Sequence, residues 1–326
     1  RAIAGVLRPG RLVVLESTTW PGTTREVLRP LLEAGGLRCG EGLFLAYSPE
    51  REDPGNPRFR TAGIPKLVAG ADPASLRLAL ALYGAVVERT VAVGSLEAAE
   101  TAKLAENVFR AVNIALADEL KRACHGLGVD VWEVIGAAAT KPFGYMPFWP
   151  GPGPGGHCIP VDPLYLRWAA ARAGVAMPLL AAADAINQAA PLHVLARLET
   201  ALAARGRRLA GASVLVLGLG YKRNVADLRD SPGPRLMAEI EARGGVAAHF
   251  DPLMPVLPPL PEHPGLGARR GIAWSPGTLA GFDAALIAAD HDGVDYAALV
   301  AHCPLVLDTR NVCARLGLVA ENVVGA

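Results

Sequence analysis

The chain has 326 residues, 51% of them apolar, and its 32 basic side chains nearly balance 31 acidic ones, for a net charge of +1. That apolar content supports sizeable cores and excludes a disordered chain, while the length allows two or three domains at ~100–200 residues each. So small a net charge provides no global field to hold nucleic acid or an acidic membrane, and no apolar run reaches the ~18 residues of a membrane span.

The first third alternates strand and helix signals. Arg11 to Glu16 reads as a strand closed by Ser17-Thr18-Thr19-Trp20-Pro21-Gly22, and a helical pattern follows from Thr23 to about Ala34. Leu43 to Tyr47 and Lys66 to Ala69 are further strands, Pro73 to Tyr83 a helix, and Val86 to Val93 a third β-rich run. Such alternation predicts an α/β domain with a largely parallel sheet. From Ser95, a plausible N-cap, no Gly or Pro occurs until Gly126, and apolar residues recur at helical spacing. This predicts a helix of about thirty residues, long enough to carry an oligomer interface or, equally, to pack inside a single domain.

Asp130 to Ala139 is a shorter helix. Lys141 to Pro160 then holds six prolines and five glycines, too many for a helix or a central strand. Phe143, Tyr145, Met146, Phe148 and Trp149 make it too apolar for a solvated linker, so a packed loop is expected. Asp162 to Ala173 and Met177 to Arg205 read as helices, the second kinked or restarted near Pro191. The final third is a second α/β unit, with strands at Ser213 to Leu217, Val246 to Phe250, Asp283 to Ala288 and Leu305 to Leu307. It also has a helix from Pro232 to Arg243 and a surface loop from Pro255 to Pro264.

Five widely spaced cysteines, Cys39, Cys124, Cys158, Cys303 and Cys313, form no CxxC pair, which argues against a zinc site or a disulfide framework. A reducing, cytoplasmic compartment is the default. Cys158 stands out because Gly155-Gly156 precede it, letting backbone approach a ligand closely, and because Asp162 follows at a helix start that would favour a thiolate. By itself this fits a reactive cysteine and a buried structural one equally. His157 is adjacent, so a Cys–His hydrolase pair is weakly supported. Lys103 and Asn107 stand four apart on the long helix and could both donate to a developing oxyanion. The alternative is an ordinary solvated face shared with Glu100 and Glu106. Gly218-Leu-Gly220-Tyr221-Lys222 follows a strand and fits a phosphate-binding βα turn, although Arg223 stands where a third glycine would complete a dinucleotide fingerprint. Thr18 and Glu50 lie just after strands, where α/β sheets bind ligands.

Six ordered segments together resemble the UDP-glucose/GDP-mannose dehydrogenase family. They are Glu16-Ser-Thr18 with Pro21-Gly-Thr23, Ser48-Pro-Glu50, Glu100 to Asn107, and Gly155-Gly-His-Cys158 with Asp162, then Gly218 to Pro232 and Leu307-Asp-Thr-Arg310. The resemblance implies two Rossmann-like parallel-sheet domains, the first truncated, joined by a central long-helix domain. The expected boundaries are 1–94 for the NAD-binding part, 95–205 for the central dimerisation and catalytic-cysteine domain, and 206–326 for the UDP-sugar-binding domain. The family's first Rossmann half, with its glycine-rich NAD turn, would precede Arg1, so the first domain is expected to be partial.

The activity implied is a four-electron, NAD-dependent oxidation of a nucleotide-sugar C6 alcohol to a carboxylate, in polysaccharide biosynthesis. By the resemblance, Cys158 matches the nucleophile that forms a thiohemiacetal and then a thioester. Lys103 and Asn107 match the oxyanion donors, and Asp162 the proton-handling residue. Glu50 and Thr18 match the pair that positions the hydrolytic water. Gly155, Gly156, Tyr221, Lys222 and Arg310 match substrate contacts, and Ser17, Thr18 and Arg229 match NAD contacts. No metal is implied, and a homodimer through the central helix is expected. Ser48 to Asn56, the aromatic loop Pro142 to Pro154 and His157 resemble the UDP-N-acetylglucosamine 6-dehydrogenases more than the UDP-glucose enzymes, with UDP-N-acetylmannosamine a further alternative. A different class of reading is a catalytically silent nucleotide-sugar-binding module.

Overall fold

The structure, a computed structural model, describes residues 1–53, 56 and 59–326; Pro54 and Gly55 of the Ser48 to Asn56 stretch lie outside the described residues. The chain begins with β1 (Arg11–Leu15), a π-turn over Thr24–Leu28 that continues into α1 (Arg29–Glu33), β2 (Leu43–Tyr47), β3 (Lys66–Gly70), α2 (Pro73–Gly84) and β4 (Thr90–Ala92). Four helices follow: α3 (Leu96–Leu127), α4 (Val131–Ala138), α5 (Cys158–Arg172) and α6 (Pro178–Ala203). The remainder is β5 (Ser213–Leu217), α7 (Pro232–Ala242), β6 (Val246–Phe250), β7 (Val256–Leu257), β8 (Arg269–Arg270), α8 (Pro276–Ala280), β9 (Ala284–Ile287), α9 (Tyr296–His302), β10 (Val306–Asp308), α10 (Val312–Arg315) and β11 (Val323–Gly325).

The chain is thus α/β with parallel sheets, and in chain order long helices separate the two sets of strands. It groups into two compact units, residues 1–110 with 161–180, and residues 111–160 with 181–326. In the first, four strands among the described residues lie in the order β1-β2-β3-β4. The β1/β2 and β3/β4 pairs are parallel, and only β2/β3 is antiparallel. Period-2 alternation along β2 turns Ala46 to a cluster with Val68, Ala79 and Tyr83, and Leu43 and Leu45 to another with Leu32. Asp72 starts α2 by accepting the amides of Ala74 and Ser75 at 2.9 and 3.0 Å.

In the second unit five parallel strands run β11-β10-β9-β5-β6. Val214 and Val216 join one core with Leu198 and Leu202 of α6 and Leu236 and Ile240 of α7. Leu215 and Leu217 join another with Leu279 of α8 and Tyr296 and Leu299 of α9. Both faces are covered, as an all-parallel sheet requires.

Three expectations need correction. Helix α5 starts at Cys158, not Asp162, because Pro160 falls in the first turn, where an amide has no intrahelical acceptor to lose. Helix α6 passes through Pro191 without restarting, since one missing hydrogen bond is outweighed by the buried turn of Val194, Leu195 and Leu198. The Pro255 to Pro264 stretch is not all surface loop: β7 pairs with β8 there and Leu257 is fully buried.

Candidate active site

In the first unit, the parallel pairing of β1 and β2 brings Glu16-Ser17-Thr18 and Glu50 to the same strand ends. The Glu50 amide donates to the Glu16 carbonyl at 3.1 Å, and the Ser48 amide to the Leu15 carbonyl at 3.0 Å. Glu16 itself is held by Lys66 Nζ at 3.0 Å and by the Tyr83 hydroxyl at 2.6 Å. Ser17 and Glu50 are exposed, and Thr18 is half-buried.

The other group lies on α3. Glu100, Lys103 and Asn107 are buried, at 0%, 5% and 3% exposure, so the solvated-face reading of this helix is wrong. The Asn107 Nδ2 donates to Asp162 Oδ2 of α5 at 2.5 Å, which orients the amide. An amide carries two N–H donors, so a second can serve another oxygen. Glu100 accepts the Gly22 amide at 2.5 Å, the Thr24 amide at 2.9 Å and the Thr24 hydroxyl at 2.6 Å. Burial pushes its carboxyl up, against the opposing pull of those bonds. Arg51 ties the loop after β2 to this helix through Glu106, 2.7 Å away, and donates to the Pro65 carbonyl at 2.6 Å. Trp168 of α5 meets Trp20 edge-on, with ring centroids 5.1 Å apart, bracing the loop that carries Thr18. Sequence reasoning missed the anchoring roles of Glu100 and Arg51; the only available signal was their place inside the motifs. It also missed Tyr47, fully buried, whose hydroxyl has no partner among the described residues. Burial, with Glu100, Asp162 and Glu106 adding to it, holds that phenol neutral.

In the second unit, the Pro/Gly loop lies on the turn after β5. A Cβ added at Gly155 would stand 2.4 Å from Tyr221 Cβ, and one at Gly156 3.0 Å from the Tyr221 ring, so only glycine allows the approach. The Gly156 amide donates to the Arg229 carbonyl at 2.8 Å. Cys158 follows as the first residue of α5, half-buried. His157 is exposed. Burial pushes the Cys303 and Cys313 thiols up to about 11 and about 12, and that of Cys39 upward too, so these three are poor nucleophiles.

The Gly218–Gly220 turn does not present its amides to a phosphate as expected. Leu219 and Gly220 donate them instead to Asp251 Oδ2 at 2.7 and 3.4 Å. The Arg229 guanidinium pairs with Asp227 at 2.6 Å. Arg310 donates from Nε to the Ala288 carbonyl at 2.9 Å. With Asp290, Asn311, Arg315 and the stacked rings of Trp132 and Trp149 (5.3 Å, 11°), it borders a cavity of ≈ 360 Å³. Lys222 is half-buried in the same βα loop as Tyr221. No cluster of three or more metal-ligating side chains occurs among the described residues, and no helix among them is long and apolar enough to cross a membrane.

Family models of the UDP-glucose/GDP-mannose dehydrogenases match three stretches: the NAD binding domain at residues 1–87, the central domain at 97–189 and the UDP binding domain at 215–315. A UDP-N-acetyl-D-mannosamine dehydrogenase of Salmonella typhi is 33% identical over 96% of this chain and 75% of its own length. The chain belongs to the UDP-glucose/GDP-mannose dehydrogenase family. The structure of a Pyrococcus horikoshii UDP-D-ManNAc dehydrogenase superposes with a TM-score of 0.86 at 31% identity, covering 100% of this chain and 74% of that one. The UDP-N-acetyl-D-glucosamine 6-dehydrogenase of Pseudomonas aeruginosa is 38% identical over 77% of this chain, which spans 60% of that relative's length.

NAD is the cofactor of this family's first domain. Ser17 and Thr18, at the C-terminal end of β1, can offer hydroxyls to it. The helix start at Thr24 cannot seat its pyrophosphate, because the Glu100 carboxylate already occupies those amides.

Proposed function

We propose that the chain serves NAD-dependent oxidation of the C6 alcohol of a UDP-N-acetylhexosamine, UDP-N-acetylglucosamine first, to the uronic acid. The balance is one alcohol, one water and two NAD+ giving one carboxylate, two NADH and three protons. Bound NAD+ accepts the hydride in each oxidation. Cys158 Sγ adds to the C6 aldehyde as a thiohemiacetal, and after the second oxidation holds the thioester that water cleaves. Lys103 and Asn107 donate to the C6 oxyanion, with Asp162 orienting Asn107 and handling protons. Thr18 and Glu50 position the hydrolytic water. Gly155, Gly156, Tyr221, Lys222 and Arg310 receive the nucleotide sugar, and Ser17, Thr18 and Arg229 contact NAD. The observation that carries this reading is the burial of Lys103 and Asn107 on α3 with the 2.5 Å bond from Asn107 to Asp162. A solvated surface face would need none of it.

The choice of UDP-N-acetylglucosamine is supported by the P. aeruginosa relative. The organisation proposed is 1–94 for NAD, 95–205 central and 206–326 for the UDP-sugar, supported by the ranges of the three family models. A homodimer through α3 is supported by the exposure of Phe109 and Leu116 on that helix. A cytoplasmic setting is supported by five cysteines that form no disulfide.

The test is oxidation of UDP-N-acetylglucosamine, UDP-N-acetylmannosamine and UDP-glucose in parallel. Two NADH per sugar are expected, with the first substrate preferred. Cys158→Ala is expected to abolish acid formation, and normal acid output from that variant rejects the nucleophile. Calorimetry that finds UDP-sugar bound but NAD+ not bound supports the silent binding module instead.

A further inference from the structure

The segment Pro150-Gly151-Pro152-Gly153-Pro154 has few means of holding itself. Proline lacks an amide proton, so Gly151 carries the only N–H between Trp149 and Gly153. That single residue is gripped by both its backbone groups from one turn of α3. The Gly151 amide donates to Asp118 Oδ1 at 3.0 Å, and Lys121 Nζ donates to the Gly151 carbonyl at 3.0 Å. The two side chains lie 3.6 Å apart and are 3% and 9% exposed. Asp118 Oδ2 is buried with no hydrogen-bond partner among the described residues, an outlay that a merely filled core would not retain. On its other side, Gly151 meets the guanidinium of Arg310: an added Cβ would stand 2.6 Å from Nη1 and 3.1 Å from Cζ. The Asp118 charge acts on Arg310, and that of Arg310 on Asp118.

We propose that Asp118 and Lys121 are positioning residues. They clamp Gly151 against Arg310, and so set both the orientation of that guanidinium and the path of the loop that ends at Cys158. Neither residue touches substrate in this assignment. It rests on the reading of Arg310 as a nucleotide-sugar contact and of Cys158 as the nucleophile.

The experiment pairs breaking and conservative variants of the full chain: Asp118→Ala with Asp118→Asn, and Lys121→Met with Lys121→Arg. Asn keeps an acceptor for the Gly151 amide and Arg keeps a donor for its carbonyl. Three readouts are taken on the folded fraction: calorimetric affinity for UDP-N-acetylglucosamine, deuterium uptake in the 149–156 peptide, and alkylation of Cys158 by iodoacetamide followed by peptide mass spectrometry. Asp118→Ala and Lys121→Met are expected to weaken UDP-sugar binding about tenfold, to speed uptake at Gly151 and to change the alkylation rate. The conservative variants are expected to stay within about twofold of the unaltered chain. Breaking variants that bind as tightly as the unaltered chain overturn the proposal, whatever their melting temperatures. If the unaltered chain binds no UDP-sugar, the functional reading fails separately. The clamp is then decided by uptake and alkylation, and unchanged values in Asp118→Ala reject it.

Discussion

In the second unit, β5 is enclosed on both faces, Val214 and Val216 toward α6 and α7, Leu215 and Leu217 toward α8 and α9, all at 1% exposure or less. In the first unit, β1 lies at the sheet edge and leaves Leu12, Val13, Val14 and Leu15 only partly covered, and the apolar core divides into small clusters. Order there depends more on buried polar anchors: Glu100 across three donors, Asp72 and Ser75 at the head of α2, and Asn107 with Asp162. The second unit has the larger continuous apolar cores, while the first combines smaller ones with satisfied polar groups that are costly to disturb. The candidate residues follow the same division. Tyr221 and Arg310 ride on loops that follow strands of a well-buried sheet, whereas Lys103, Asn107 and Glu100 are part of what holds their unit together.

Three substitutions probe that contrast. Leu215→Ala is expected to destabilise the second unit by about 3–4 kcal/mol, through lost transfer energy and a residual cavity, while Leu12→Ala on β1 costs about 1 kcal/mol. Urea midpoints followed by tryptophan emission and by hydrogen exchange check this, and equal losses at the two positions dissolve the comparison. Glu100→Ala comes next, at about 3 kcal/mol, because it strands the Gly22 and Thr24 amides and the Thr24 hydroxyl. Exchange protection should fall first around residues 18–28; a loss confined to the second unit would contradict the anchoring role.

A smaller effect than either core or anchor loss concerns pH. Burial raises the Asp251 carboxyl, but the His291 side chain and the amides of Leu219 and Leu253 outweigh it and lower its pKa from 3.8 to about 2. A depressed folded pKa contributes stability that is present above 3.8 and lost as pH falls toward 2. Asp251→Asn is therefore expected to cost about 2 kcal/mol at pH 6, with the difference from the unaltered chain closing between pH 4 and pH 2. A gap that persists at pH 2 would assign the loss to packing instead.

Much of this was legible in the residues in order. Alternating apolar runs placed the strands, an unbroken helical period from Ser95 placed α3, and clustered Pro and Gly marked Lys141 to Pro160 as a loop, but its last three residues open α5 and Phe143, Tyr145, Met146 and Trp149, expected to pack, are exposed. Six ordered motifs pointed to the family because catalytic side chains need particular neighbours in sequence. Local signals misled where distant partners intervene. The amides of Leu219 and Gly220 looked ready for a phosphate until Asp251, more than thirty residues on, accepted them. Pro191 looked like a break until its flanking turns were buried.

The sequence by itself determined the element types, the family and the identities of the candidate nucleophile and oxyanion donors, because propensity, periodicity and motif spacing are local properties. Only the tertiary structure decided which polar groups are buried and what satisfies them: Glu100 on the Gly22 and Thr24 amides, Asp162 on Asn107, and Asp118 with Lys121 on Gly151. Those partners lie from 30 to 78 residues apart in the chain, and the cost of leaving a buried polar group unpaired is set by the folded environment, which no local pattern encodes.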